Sequence, residues 1–194
     1  MEIIIHRINK IKDLKIIPRV YGAEIDIRSY GSKLILNHEP KIKGDSFEDY
    51  LENYKNGILV LNIKEAGIED EVLKLVKRFK NIKKYFLLDV EIPYLFKSLK
   101  NKNNNSAIRF SYYEPLLGSM KFKKIFNWFW IDTIKKFNLD DKDKQILKKF
   151  KICLVCPERW GKPHDIKYYK NYFKRNDLKI DAVMTSLKYV SQWK

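Results

Sequence analysis

The chain has 194 residues, is 45% hydrophobic and carries a formal charge of +16, enough for one well-buried core and short for two, so a single domain over 1–194 is expected. No run of about 18 apolar residues occurs, and "MEIIIHRINK" leads straight into a strand-like run between charges; neither a membrane span nor a signal peptide is indicated, and the expected compartment is the cytoplasm. The charge admits nucleic acid as a partner without favouring it, because the lysines are spread along the chain as solvated faces instead of forming a block.

Taken in order, the first apolar β-branched run is "EIIIH" (2–6), and the "INKIKDLKIIPRVY" that follows is too short and Pro-broken for a full helix. "AEIDI" (23–27) alternates strictly, with Ala23, Ile25 and Ile27 on one face and Glu24, Asp26 and Arg28 on the other. After the "YGS" turn a hairpin closes on "HEP". "GILVLNIK" (57–64) reads as a strand, and "GIEDEVLKLVKRFKN" as a helix with acids in its first turn and bases in its last. "KYFLLDVE" (84–91) is a strand, "IPYLFKSLKN" a helix and "NKNNNS" (101–106) a polar loop. "SAIRFSYYE" (106–114), "FNWFWID" (126–132) and "FKICLVCPE" (150–158) are strands. The last of these carries the two cysteines, Cys153 and Cys156, a lone pair for which neither zinc nor a disulfide is expected. His164 begins the helix "DIKYYKNYFKRND" as a surface residue, and "KIDAVMTS" (179–186) is the eighth strand.

Strand and helix alternate, and the strands are nearly all apolar, which argues for a parallel sheet buried on both faces. Eight strands in so short a chain predict a compact α/β fold, a (β/α)8 TIM-type barrel with shortened or missing helices. Chemistry in such a barrel gathers at the C-terminal ends of the strands. Those ends hold His6 and Arg7; Glu24, Asp26 and Arg28; His38 and Glu39; Asn62 and Lys64; Asp89 and Glu91; and Arg109, Ser111, Trp130, Asp132, Glu158, Thr185 and Ser186. Glu24 and Asp26 pose the sharpest question. Carboxylates two apart on a strand are roughly 6 to 7 Å from each other, and they repel unless solvent, a cation or a basic side chain lies between them. A solvent-facing polar edge and a metal site both answer it.

"HR" at the end of the first strand, "EID" at the end of the second and "HEP" closing the hairpin match, in order and spacing, the glycerophosphodiester phosphodiesterase-like family, which the chain resembles over nearly its whole length and most specifically in its first third. The resemblance implies a metal-dependent phosphodiesterase acting on a small or soluble phosphodiester of glycerol or sugar type. It makes His6 and His38 the acid and base, in an order left open, and Glu24, Asp26 and Asn62 the holders of a divalent cation, Mg²⁺ or Ca²⁺. Arg7, Lys64, Arg109 and Trp130 become candidate substrate contacts. Histidine suits both proton transfers because its ordinary pKa is near 6.5, and oxygen ligands suit a hard cation. Two departures stand out. Asn62 occupies the place of the family's third acidic ligand, leaving either a weak ligand or a charge to be supplied by Asp89 or Glu91, and Ile8 stands where a small residue is usual. Asn62 also keeps open a second reading, a catalytically impaired barrel that binds a phosphorylated or polyanionic ligand.

Overall fold

Strand β2 (Gly22–Tyr30) is the axis on which the first half of the chain is built. Its apolar side chains, Ala23, Ile25 and Ile27, are fully buried, and each isoleucine so placed is worth about 1.5–3 kcal/mol of transfer free energy. One edge of β2 carries β5 (Leu59–Ile63) in parallel, with Asp26 beside Asn62 and Ile27 beside Ile63. β6 (Tyr85–Leu88) continues parallel to β5. The other edge is shared by two strands in succession: β1 (Glu2–Ile5) runs parallel to the start of β2, with Ile5 beside Ala23, and β3 (Lys33–Leu36) runs back antiparallel along Ile27–Tyr30. A two-residue strand, β4 (Asp45–Ser46), extends the hairpin.

The computed structural model describes residues 1–100, 105–116 and 126–194, and it divides into two compact units, Glu2–Glu91 and Ile92–Lys194. The first contains the strands above, the single turn α1 (Ile11–Leu14), α2 (Phe47–Asn53) and α3 (Glu69–Arg78). α3 has the expected charge order, with Glu69, Asp70 and Glu71 in its first turn and Lys77 and Arg78 in its last. The second contains four strands parallel in chain order, β7 (Ala107–Phe110), β8 (Trp128–Ile131), β9 (Lys151–Val155) and β10 (Ala182–Thr185). Its helices are α4 (Ile92–Lys100), α5 (Asp141–Leu147) and α6 (Ile166–Arg175).

All eight strand expectations have their counterpart in this mixed α/β fold, as do the three helices read from periodicity. β4, α2 and α5 are additions. α2 is set by Ser46, whose Oγ accepts from the Asp49 amide, and α5 by a reciprocal Asp140–Asp143 capping box. β1, β2, β5 and β6 run parallel within the first unit and β7 to β10 within the second, while β3 and β4 form an antiparallel hairpin; a closed ring of eight parallel strands is not shown among the described residues. Of the polar stretch 101–106, residues 101–104 lie outside the described residues, as do 117–125. Cys153 and Cys156 are buried free thiols, and no helix among the described residues is long and apolar enough to cross a membrane.

Candidate active site

The register of the first unit brings the ends of β1, β2, β3 and β5 together. β1 stops at Ile5, and the chain then turns through Arg7, which adopts a left-handed conformation with φ 53°. That is an uncommon state for a non-glycine residue, and it lets the Arg7 amide donate to Glu24 Oε2 at 2.9 Å. The Ile8 amide then donates to the Glu24 carbonyl at 2.9 Å. Ile8 itself is buried, so its extra bulk packs into the protein. His6 Nε2 lies 3.8 Å from Glu24 Oε2.

Between the end of β1 and the start of the β3 pairing, the edge of β2 is completed by a side chain. Asn9 Oδ1 accepts from the Asp26 amide at 2.8 Å, while Asn9 Nδ2 donates to Asp26 Oδ2 at 2.8 Å. The Asn37 amide donates to the Asp26 carbonyl at 3.0 Å, and His38 follows. Nothing local to "HRIN" marks Asn9 in the sequence. Its role depends on a gap in strand pairing that only the assembled edge reveals.

Glu24 and Asp26 are 1% and 0% exposed, so the reading of this face as a solvated polar edge does not hold. Glu24 Oε1 accepts from Asn62 Nδ2 at 2.8 Å. Lys64 Nζ is 3.4 Å from Asp26 Oδ1 and 3.4 Å from Asp89 Oδ2, and Arg7 Nε is 3.8 Å from Asp26 Oδ2. Basic side chains and amide donors thus stand between and around the two carboxylates. Asp89, like Arg7, sits at a strand end with positive φ, 59°, and its carboxylate meets the Lys64 ammonium from the end of β6. Burial, and secondarily the Asp26 charge, push the Glu24 carboxyl up to about 6, against the stabilising contacts from Asn62, Arg7 and Lys64.

Within this cluster two buried acceptors are left without a hydrogen-bond partner, Asp26 Oδ1 and Asn62 Oδ1. They belong to residues in direct register on β2 and β5. Together with Glu24 they form an all-oxygen donor set of the kind that suits Mg²⁺ or Ca²⁺. The donor type fits, with one carboxylate fewer than three. No three His, Cys, Asp or Glu among the described residues are grouped so as to hold a metal, and the Lys64 ammonium already meets part of the charge demand.

His38 Nδ1 and Glu39 Oε1 are 2.6 Å apart. That bond, with the His38 charge, holds the exposed Glu39 carboxyl below its ordinary value. A cleft of about 570 Å³ opens beside His38 and Arg7, bordered also by Lys10 and Lys43 and by Asp13 and Asp45. Its volume falls in the range of small-ligand sites. The Asp45 carboxylate is committed to the Ile11 amide at 2.7 Å.

Arg109 and Trp130 belong to the second unit, where they are register partners on β7 and β8. Arg109 Nη1 is 3.2 Å from Asp132 Oδ2; Trp130 is 3% exposed. Burial raises the Asp132 carboxyl while Arg109 lowers it. At the end of β10, the Ser186 amide and the Thr185 hydroxyl both donate to Glu158 Oε1, at 2.8 and 3.2 Å. His164 is exposed just before α6, as expected.

No family model matches the sequence, and no curated relative does so. Solved structures resemble the chain in fold. An Agrobacterium tumefaciens C58 protein assigned as a glycerophosphoryl diester phosphodiesterase superposes with a TM-score of 0.63 at 10% identity, over 95% of this chain and 93% of its own. A glycerophosphoryl diester phosphodiesterase of Parabacteroides distasonis gives 0.60 at 11%, over 94% and 81%. A glycerophosphodiester phosphodiesterase of A. tumefaciens C58 gives 0.60 at 10%, over 95% and 96%. The chain therefore shares the fold of these phosphodiesterases; at such identities the likeness is one of fold.

Proposed function

We propose that the chain is a metal-assisted phosphodiesterase, a phosphoric diester hydrolase acting on a small or soluble phosphodiester such as a glycerol or sugar ester. The observation that carries this reading is the convergence of His6, Arg7, Glu24, Asp26, Asn62 and Lys64 at the ends of three adjacent parallel strands, with both carboxylates buried. The shared fold supports it.

In this reading Glu24, Asp26 and Asn62 would hold the divalent cation, which when bound neutralises charge on the phosphate oxygens. Arg7 and Lys64 bind the remaining negative charge and orient the diester. As the new P–O bond forms, the attacking hydroxyl or water gives its proton to one imidazole; as the opposite P–O bond breaks, the other imidazolium protonates the leaving alkoxide. His38 suits the base role, because donating Nδ1–H to Glu39 leaves the Nε2 lone pair free. His6, beside Glu24, takes the acid role. Arg109 and Trp130 are not needed for these steps.

The test is hydrolysis of bis(p-nitrophenyl) phosphate with Mg²⁺, Ca²⁺, Mn²⁺ or EDTA, run for the wild type and for His6→Ala, His38→Ala and Asp26→Asn. Metal-dependent release of nitrophenol, lost in all three variants, is the expected result; turnover that survives in them overturns the assignment. One contact favours a second reading. The Asn62 amide donates to Glu24 where an acid would have faced it, which lowers the charge available to a cation and suits a barrel that binds a phosphorylated or polyanionic ligand without cleaving it. Salt-sensitive binding of such a ligand, with no hydrolysis under any metal, would select that reading.

A further inference from the structure

Arg28 follows Asp26 on the polar face of β2, and its guanidinium reaches to both sides of the strand. Nε donates to the His38 carbonyl at 3.0 Å, and Nη1 donates to the Lys64 carbonyl at 2.8 Å. These two carbonyls end different strands. β3 pairs with β2 and β4, and β5 pairs with β2 and β6, so within this unit the exits carrying His38 and Lys64 are joined through β2 alone. The Arg28 fork is a second, direct tie between them.

The residue type is informative. The chain has seven arginines against 33 lysines, so its composition favours lysine wherever a positive charge would suffice. A planar guanidinium offers separate N–H vectors in a fixed fork, whereas an ammonium is a compact point charge on a flexible stem. Arg28 makes no ion pair among the described residues. Its hydrogen bonds go to backbone oxygens, which position the chain, and its charge also helps to lower the Glu39 carboxyl, behind the larger effects of His38.

We propose that Arg28 is a positioning residue that sets the separation between the His38 imidazole and the Lys64 ammonium without touching substrate. The inference rests on the roles given to His38 and Lys64 above. With the His38 carbonyl anchored, the Nδ1 bond to Glu39 is held in one geometry; with the Lys64 carbonyl anchored, Nζ stays between Asp26 and Asp89.

The experiment compares wild type, Arg28→Lys and Arg28→Met by turnover of bis(p-nitrophenyl) phosphate with Mg²⁺, by thermal melting, and by ¹⁵N chemical shifts of the His38 ring. Expected are a fall in kcat of about 10- to 100-fold in both variants, the size usual for residues that orient a ligand or base from behind, and, in a further variant Arg28→Ala, a similar fall that is partly recovered when guanidinium is added. The His38 ring nitrogens should move from a single Nδ1–H tautomer to averaged shifts in Arg28→Met. An unchanged kcat in folded Arg28→Met, or an unchanged His38 spectrum, overturns the proposal. If the wild type shows no turnover, the phosphodiesterase reading falls, and the ring spectrum still decides whether Arg28 positions His38.

Discussion

The Lys64 ammonium stands 3.4 Å from Asp26 Oδ1, at a carboxylate that is fully buried. This contact explains how β2 can place two acids on one face. Each buried charge would cost several kcal/mol alone; here Lys64 serves Asp26 and Asp89 together, while Glu24 is held by the Arg7 amide and Asn62. Replacing Lys64 by Met strands Asp26 with one oxygen already lacking a hydrogen bond. A loss of about 3 kcal/mol in urea unfolding is expected, and millimolar Mg²⁺ or Ca²⁺ should raise the melting temperature of Lys64→Met more than that of the wild type. Equal responses to the cation would argue against a cation site at Asp26.

Glu24 sets a pH dependence whose sign is opposite to that of an ordinary salt-bridged acid. Its folded pKa, about 6, lies above its ordinary 4.5, so between these values the native state binds more protons than the unfolded chain. The stabilisation is fully present below 4.5 and is lost as pH rises through 6, by about 2 kcal/mol in total. Unfolding in urea with EDTA, from pH 4 to 7.5, should show this fall in the wild type and not in Glu24→Gln. Parallel curves for the two proteins would contradict it.

Asn62→Glu exchanges a hydrogen-bond donor for a third carboxylate. Without metal, Glu24 Oε1 loses its 2.8 Å partner, and the added charge repels both acids; a destabilisation of about 1–3 kcal/mol follows. With Mg²⁺ or Ca²⁺ the order should reverse, the variant gaining more in melting temperature and binding the ion more tightly by calorimetry. A variant indifferent to both ions would remove Asn62 from the cation site.

Gly22 tests the strand register that assembles the site. A Cβ there would lie 2.1 Å from the Ile58 carbonyl oxygen, a backbone atom that cannot swing away, so β2 and β5 would have to part at their first pair. Gly22→Ala should cost about 3 kcal/mol, at the upper end of the range for overpacking, read as a shift in urea midpoint. A midpoint within a few tenths of a molar of wild type would show that the two strands can separate there without cost.

Sequence by itself determined the parts of this protein that repeat at short range. The strict alternation of "AEIDIR" placed Glu24, Asp26 and Arg28 on one face, because successive strand residues point to opposite sides. Apolar runs such as "LVLNI" and "YFLL" specified parallel strands, because such strands are buried on both faces. α2 and α5 escaped that reading because seven residues hold too few periods to stand out, and their caps, Ser46 and Asp140, are marks of a helix end only once the helix exists. Tertiary structure alone decided what the polar face of β2 meets. That Asn9 fills the edge of β2 between β1 and β3, that Lys64 stands between Asp26 and Asp89, and that Arg28 joins His38 to Lys64 all depend on pairings between residues 10 to 38 positions apart. A side chain's type states what it can bond; which partner comes within 3 Å is fixed by the register of strands that meet only when the chain has folded.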